Sequence, residues 1–222
     1  MSIPVHVIFS PSWWNRRYGI EFEEPFYLDP RTRIRNDLAM RTALFELFEL
    51  GAPPFEPRPV VGSPHIAGGF VMPALLGVPI RFSKDQAAWP VPRNLDRDAV
   101  LAMRASEATT TWPMQELISQ ANALEKEFGY LVGDLNTAGI LNTSMEVRGN
   151  DLLLDLIEAP EVTDHLFNIV SRTMIEVSRY WRARTGTTSV SVNCSIAAVG
   201  PETTHSDASF VAASSAFPSK KG

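Results

Sequence analysis

Seven side chains in this sequence have the types and spacing to carry chemistry. Trp13, Arg16 and Arg17 fall together in "SPSWWNRRYG". Two guanidiniums beside indole rings can clamp a carboxylate or a phosphate through their fixed forks of donors. The same pair can instead stack on the rings and neutralise the acidic "EFEEP" that follows. Asn136, in the glycine loop "GDLNTAG", can donate to a ligand or close its own turn. His205 and Asp207 share a polar loop and supply an imidazole beside a carboxylate, the types an acid–base pair needs. Cys194 alternates with Val190 and Val192, so its thiol shares their face, where it either packs or meets a bound molecule. His205 and Asp207 are therefore the catalytic candidates. Trp13, Arg16, Arg17, Asn136 and Cys194 are the binding candidates. Cys194 and His205 have no companion at ligand spacing, so no metal site is read. His6 and His65 have core or turn readings, and His165 falls on the surface of a helix.

The elements that must hold these residues follow from periodicity and punctuation. "IPVHVIF" is a short β-branched run that predicts a strand, with "SWWNRR" as the loop after it. In "DPRTRIRNDLAMRTALFELFELG", Asp29 caps, Pro30 suits the first helical position and Gly51 supplies the stop. Ile34, Leu38, Phe45 and Phe48 mark the apolar face, and Arg41 is its one polar interruption. "APPFEPRP" is a proline-rich connector, and "GGFVMPALLGVPIRF" reads as a strand-to-turn passage. "NLDRDAVLAMRA" opens a helix capped by Asp96. "WPMQELISQANALEKEFG" predicts a helix from Pro113 to Gly129 that buries Met114, Leu117, Ile118, Ala121, Leu124 and Phe128. "YLVGDLNTAGI" reads as a buried strand entering a loop. A short helix, a break at Ala159-Pro160 and a long helix carrying Val162, Leu166, Ile169, Thr173, Val177 and Trp181 follow. "TTSVSVNCSIA" is a last strand. Strands alternating with helices predict a parallel α/β architecture, and a chain stopping just after a strand looks unfinished for such a sheet.

Composition narrows the function classes. The 222 residues carry 20 Lys and Arg against 25 Asp and Glu, a formal charge of −5, so no overall basic field draws in nucleic acid. One cysteine excludes an internal disulfide and favours a reducing, cytoplasmic setting. The start lacks a signal-peptide pattern, and no apolar run reaches the roughly 18 residues that a membrane span needs.

Read together, several stretches resemble the uroporphyrinogen decarboxylase superfamily. "PSWWNRRYG" is similar to its arginine-bearing first-strand loop, and "GGFVMPALLGVPIRF" to its second-strand segment. "NTAGILNTSMEVRGNDLLLDLIEAPEVTDHLFNIV" is similar to its third-strand loop and the two helix starts after it. The resemblance implies a (β/α)₈ barrel of which residues 1–210 supply about the first four strand-helix units, followed by an irregular tail at 211–222. It places the "SWWNRR", "GDLNTAG" and "NCSIAAVGPETTHSD" segments at the barrel mouth, where such barrels do chemistry.

Two activities of the superfamily compete. One moves methyl groups to or from a corrinoid, often with zinc activating a thiol; the other decarboxylates uroporphyrinogen without a cofactor. In the decarboxylase pattern Arg16 matches the first of two arginines, while Ile20 takes the place of the second and Gly68 that of an aspartate. The expectation is therefore a chain of the corrinoid methyltransferase type, with a tetrapyrrole or a protein-carried corrinoid as partner. Zinc and corrinoid belong to the full-length family. Uroporphyrinogen decarboxylation is the alternative, and an inactive binding scaffold, paired as a homodimer, is the third reading.

Overall fold

The structure is a computed structural model that describes residues 7–51, 53, 55–61, 68–132, 138–185 and 196–198. Helices dominate it. Strand β1 (Val7–Phe9) leads into α1 (Pro11–Tyr18), then α2 (Glu24–Leu28) and α3 (Pro30–Phe48). A 3-10 turn at Gly68–Phe70 precedes α4 (Val71–Leu75), β2 (Ile80–Arg81) and β3 (Trp89–Pro90). Helices α5 (Arg97–Ala102), α6 (Met114–Phe128), α7 (Ile140–Arg148), α8 (Leu152–Glu158) and α9 (Pro160–Thr185) follow, then β4 (Ile196–Ala198).

The long helices form where capping and spacing place them. The Asp29 carboxylate accepts from Thr32 N at 2.8 Å with Pro30 opening α3, and Asp96 caps α5 by accepting from Ala99 N at 2.8 Å. Gly129, at φ 80°, closes α6 in the left-handed region that glycine adopts without strain. Ala159 separates α8 from α9, and Pro160 starts the second helix without needing an amide donor.

Three expectations change. "SWWNRR" is helix, not loop: Ser10 caps it, Pro11 stands in its first turn and Gly19 ends it at φ 66°. "GGFVMPALLG" winds into the 3-10 turn and α4 rather than a strand, because a short buried apolar run has no periodicity to tell the two apart. The parallel sheet is not what the described strands build. β1 pairs antiparallel with β4, Phe9 opposite Ile196, and β2 pairs antiparallel with β3. Parallel pairing appears as one bridge between Val60 and Val132.

Two apolar clusters hold these elements. Trp14, Phe22, Tyr27, Met40, Met72, Met114 and Trp181 lie in the first, and Val100, Val147, Leu152, Leu166 and Val170 in the second. Helix α9 runs through both, with Met174 packed against each. The α3 face is rotated from its predicted setting. Ile34, Met40, Ala43 and Leu44 are buried, Leu38 and Phe45 are half-buried, and Phe48 is exposed. No helix among the described residues is long and apolar enough to cross a membrane.

Candidate functional site

The α1 helix gathers three of the predicted site residues. Trp13 N donates to Ser10 Oγ at 3.3 Å, and Gly19 N donates to Asn15 O at 2.9 Å, which fixes both ends of this short helix. Adjacent residues on a helix are turned by about 100° rather than the strand's half-turn, so both tryptophans reach one aromatic cluster. Trp14 is fully buried and Trp13 half-buried. Their rings meet edge to face at 4.8 Å; Phe9 lies 4.6 Å from Trp13 and 5.2 Å from Phe48. The buried Trp14 Nε1–H has no acceptor.

Both arginines stay at the surface. The Arg17 guanidinium lies 5.9 Å from the Trp13 ring and 6.0 Å from Tyr18, in cation–π range. Arg16 Nε donates to Ser12 O at 3.2 Å. Among the described residues neither guanidinium touches a carboxylate. The "EFEEP" acids are engaged elsewhere: Glu21 accepts from Lys84 Nζ at 2.9 Å, and Glu23 and Glu24 line an open groove with Pro79, Ile80 and Arg81. Of the reading in which this pair stacks on the rings and neutralises the acidic stretch, the stacking is present for Arg17 alone and the neutralisation is absent. Asn15 Nδ2 donates to Ile20 O at 3.1 Å, and Ile20 is buried.

Trp13, Arg16 and Arg17 are thus brought together on one element. Asn136, Cys194, His205 and Asp207 lie outside the described residues, as do His6 and His65. His165 is half-buried instead of lying at the surface, its Nε2 3.1 Å from Met103 O. Among the described residues no three His, Cys, Asp or Glu side chains come together to hold a metal, so no residue set here fits a zinc ion.

The structure adds buried charges that periodicity overlooked. Arg33 is fully inside the protein, with Nε donating to Val60 O at 3.0 Å, Nη1 to Tyr27 O at 2.5 Å and Nη2 to Gln120 Oε1 at 3.0 Å. Burial lowers its pKa to about 10, so it stays charged at neutral pH. One turn on, Asp37 accepts from Arg41 Nε at 2.9 Å and from Arg58 Nε and Nη2 at 2.9 and 2.8 Å. The second cluster has its own node. Asp155 accepts from Arg148 Nε at 2.6 Å and Arg97 Nε at 2.8 Å, and the Arg148 hydrogen bond, outweighing burial, holds its carboxyl below the usual range. On α7 the opposite holds for Glu146: desolvation pushes its pKa up to about 7. Its Oε2, and the buried hydroxyls of Thr143 and Ser144, have no hydrogen-bond partner. The one signal of these nodes in the sequence was Arg41 interrupting an apolar face.

These charges sort into two kinds. Arg33 and Asp155 are saturated by protein groups and serve the fold, whereas Arg16 and Arg17 point charge at solvent from a rigid aromatic base. Among known proteins, no family model, curated protein or solved structure matches the chain.

Proposed function

We propose that this chain is part of a uroporphyrinogen decarboxylase superfamily barrel of the corrinoid methyltransferase type, and that α1 is its face for a tetrapyrrole-class ligand. The observation that carries the reading is the pair of exposed guanidiniums, with no carboxylate against them among the described residues, on a helix whose Trp13, Trp14 and Tyr18 form an aromatic base. Such a face suits a broad, flat molecule with anionic and amide groups at its edge. Trp13 and Tyr18 offer ring surface for the plane, and Arg16 and Arg17 offer donors for peripheral phosphate, carboxylate or amide oxygens. A corrinoid, when bound, would supply the cobalt chemistry for moving a methyl group. The residues of α1 orient that ring and cover part of its face. The buried Ile20 keeps methyl transfer ahead of uroporphyrinogen decarboxylation, which needs a second cation at that position to hold its carboxylates.

The test is an absorbance titration of the chain with methylcobalamin and, separately, with uroporphyrinogen. Saturable methylcobalamin binding that Arg16→Ala or Arg17→Ala weakens about three- to tenfold is expected, the range for losing one charge-assisted contact at a partly wet site. Uroporphyrinogen binding that Arg16→Ala abolishes, with release of carbon dioxide, would put decarboxylation first. Failure to bind either ligand would remove the reading.

A further inference from the structure

We infer that the groove between the start of α2 and the outer edge of β2 receives an extended peptide segment bearing Lys or Arg, which joins β2 as a further strand; the site is independent of the α1 face. In the β2–β3 hairpin Val91 N donates to Pro79 O at 2.8 Å, with Ile80 opposite Pro90 and Arg81 opposite Trp89. Bonded and non-bonded pairs alternate along an antiparallel ladder. Because Pro79 and Val91 are a bonded pair, Ile80 belongs to a non-bonded one, and its N–H and C=O point away from β3. Ile80 and Arg81 line the groove together with Glu23 and Glu24 from the α2 start. The outward main-chain groups of β2 therefore run along a groove wall, the arrangement that pairs with an added strand.

The groove is shaped before any ligand arrives. Phe22 N donates to Lys84 O at 2.9 Å, and Ala88 N donates to the Tyr27 hydroxyl at 2.9 Å, which ties the α2 region to the hairpin at two points. The Phe82 ring lies 5.5 Å from Tyr27 and 5.6 Å from Phe70. One face of β2 is thus anchored on the core while Arg81 and Trp89 stay exposed on the other. Prior ordering removes part of the entropic cost of binding.

Side-chain chemistry selects the peptide. Main-chain pairing is open to almost any sequence, so preference comes from the walls. Glu23 and Glu24 set two adjacent carboxylates there, whereas Glu21 is already paired with Lys84. With Arg81, the described lining carries two acids to one base, which favours a Lys or Arg side chain on the incoming strand.

The experiment is fluorescence polarisation of a neutral-labelled, end-blocked Val-Lys-Val-Lys-Val peptide titrated with the full chain at low salt. Two further peptides are titrated beside it: Val-Glu-Val-Glu-Val, and the lysine peptide N-methylated at its three central residues. N-methylation keeps both lysines but removes the amide donors, so it separates strand addition from mere attraction to an acidic protein. Saturable binding of the lysine peptide is expected, about tenfold weaker in the Glu23→Gln/Glu24→Gln double variant, the factor for two partly wet ion pairs. The glutamate peptide should bind at least as weakly as that, and the N-methylated peptide should not saturate. Absence of saturable binding by the lysine peptide, equal binding by the N-methylated peptide, or equal affinity in the natural chain and the double variant would overturn the site.

Discussion

The cost of a buried charge is decided by what the protein puts beside it. Asp155 is fully buried but answers two arginines, and Arg148 depends on it because its own side chain is almost wholly enclosed. Asp155→Ala is expected to lower stability by about 2–4 kcal/mol, since the enclosed Arg148 guanidinium keeps only Leu95 O and the exposed Asp151 carboxylate, both on Nη1. Urea unfolding with an unchanged slope and a lower midpoint is the readout. Glu146 is the opposite case. Its ordinary value is 4.5 and its folded value about 7, so between them the folded chain holds a proton that the unfolded chain has released. Stability contributed by this group is full below about pH 4.5 and falls as pH rises to about 7. Glu146→Gln should therefore match the natural chain near pH 4.5 and exceed it at pH 8, by about 1–2 kcal/mol after screening at this half-exposed carboxyl. A difference that does not change with pH would sink that expectation. Arg41 apart, none of these charges announced itself in the sequence. Arg33 and Asp37 are polar residues on a buried helical face, and their partners Gln120 and Arg58 are remote along the chain.

At the scale of elements, several boundaries were legible where a cap or a stop marked them, although α3 ends at Phe48 with Glu49, at φ 55°, as its cap rather than at the Gly51 stop. Asp29-Pro30, Asp96, Gly129 and Ala159-Pro160 all stand at the ends they predict, because capping is local chemistry that needs no tertiary partner. Asp29→Ala is expected to cost about 1 kcal/mol through the lost Thr32 N–H acceptor, which a shift in thermal midpoint would register; an unchanged midpoint would mean that packing alone starts α3. Helix α1 carried the same signals, Ser10-Pro11 before and Gly19 after, yet its tryptophans and arginines suggest loop chemistry ahead of helix. The candidate site was legible as composition on one segment, but its geometry depends on the helical turn that brings both indoles to Phe9. The rotation of α3 was not legible, because burying Arg33 and Asp37 depends on partners that periodicity cannot see.

At the scale of the whole molecule, α9 ties the two apolar clusters into one structure. Its 26 residues reach about 39 Å, with Val162, Leu166 and Val170 in one cluster and Val177 and Trp181 in the other. Unfolding either cluster strips a face of the same helix. Denaturation followed by tryptophan fluorescence and by far-ultraviolet circular dichroism should therefore give one coincident transition; two separated midpoints would show that the clusters melt independently.

The tryptophans also turn the molecule into its own optical instrument. Trp14 and Trp181 are sealed from water, Trp181 with its N–H against the Met114 sulfur at 3.1 Å, so both emit toward the blue. Trp89 and Trp112, 63% and 42% exposed, emit toward the red. Trp13 lies between them, under the Arg17 guanidinium. A ligand that draws Arg17 away changes the electric field on that one indole and leaves the sealed pair dark to the event. Occupancy of α1 can thus be followed by a spectral shift in the native chain, without any attached dye.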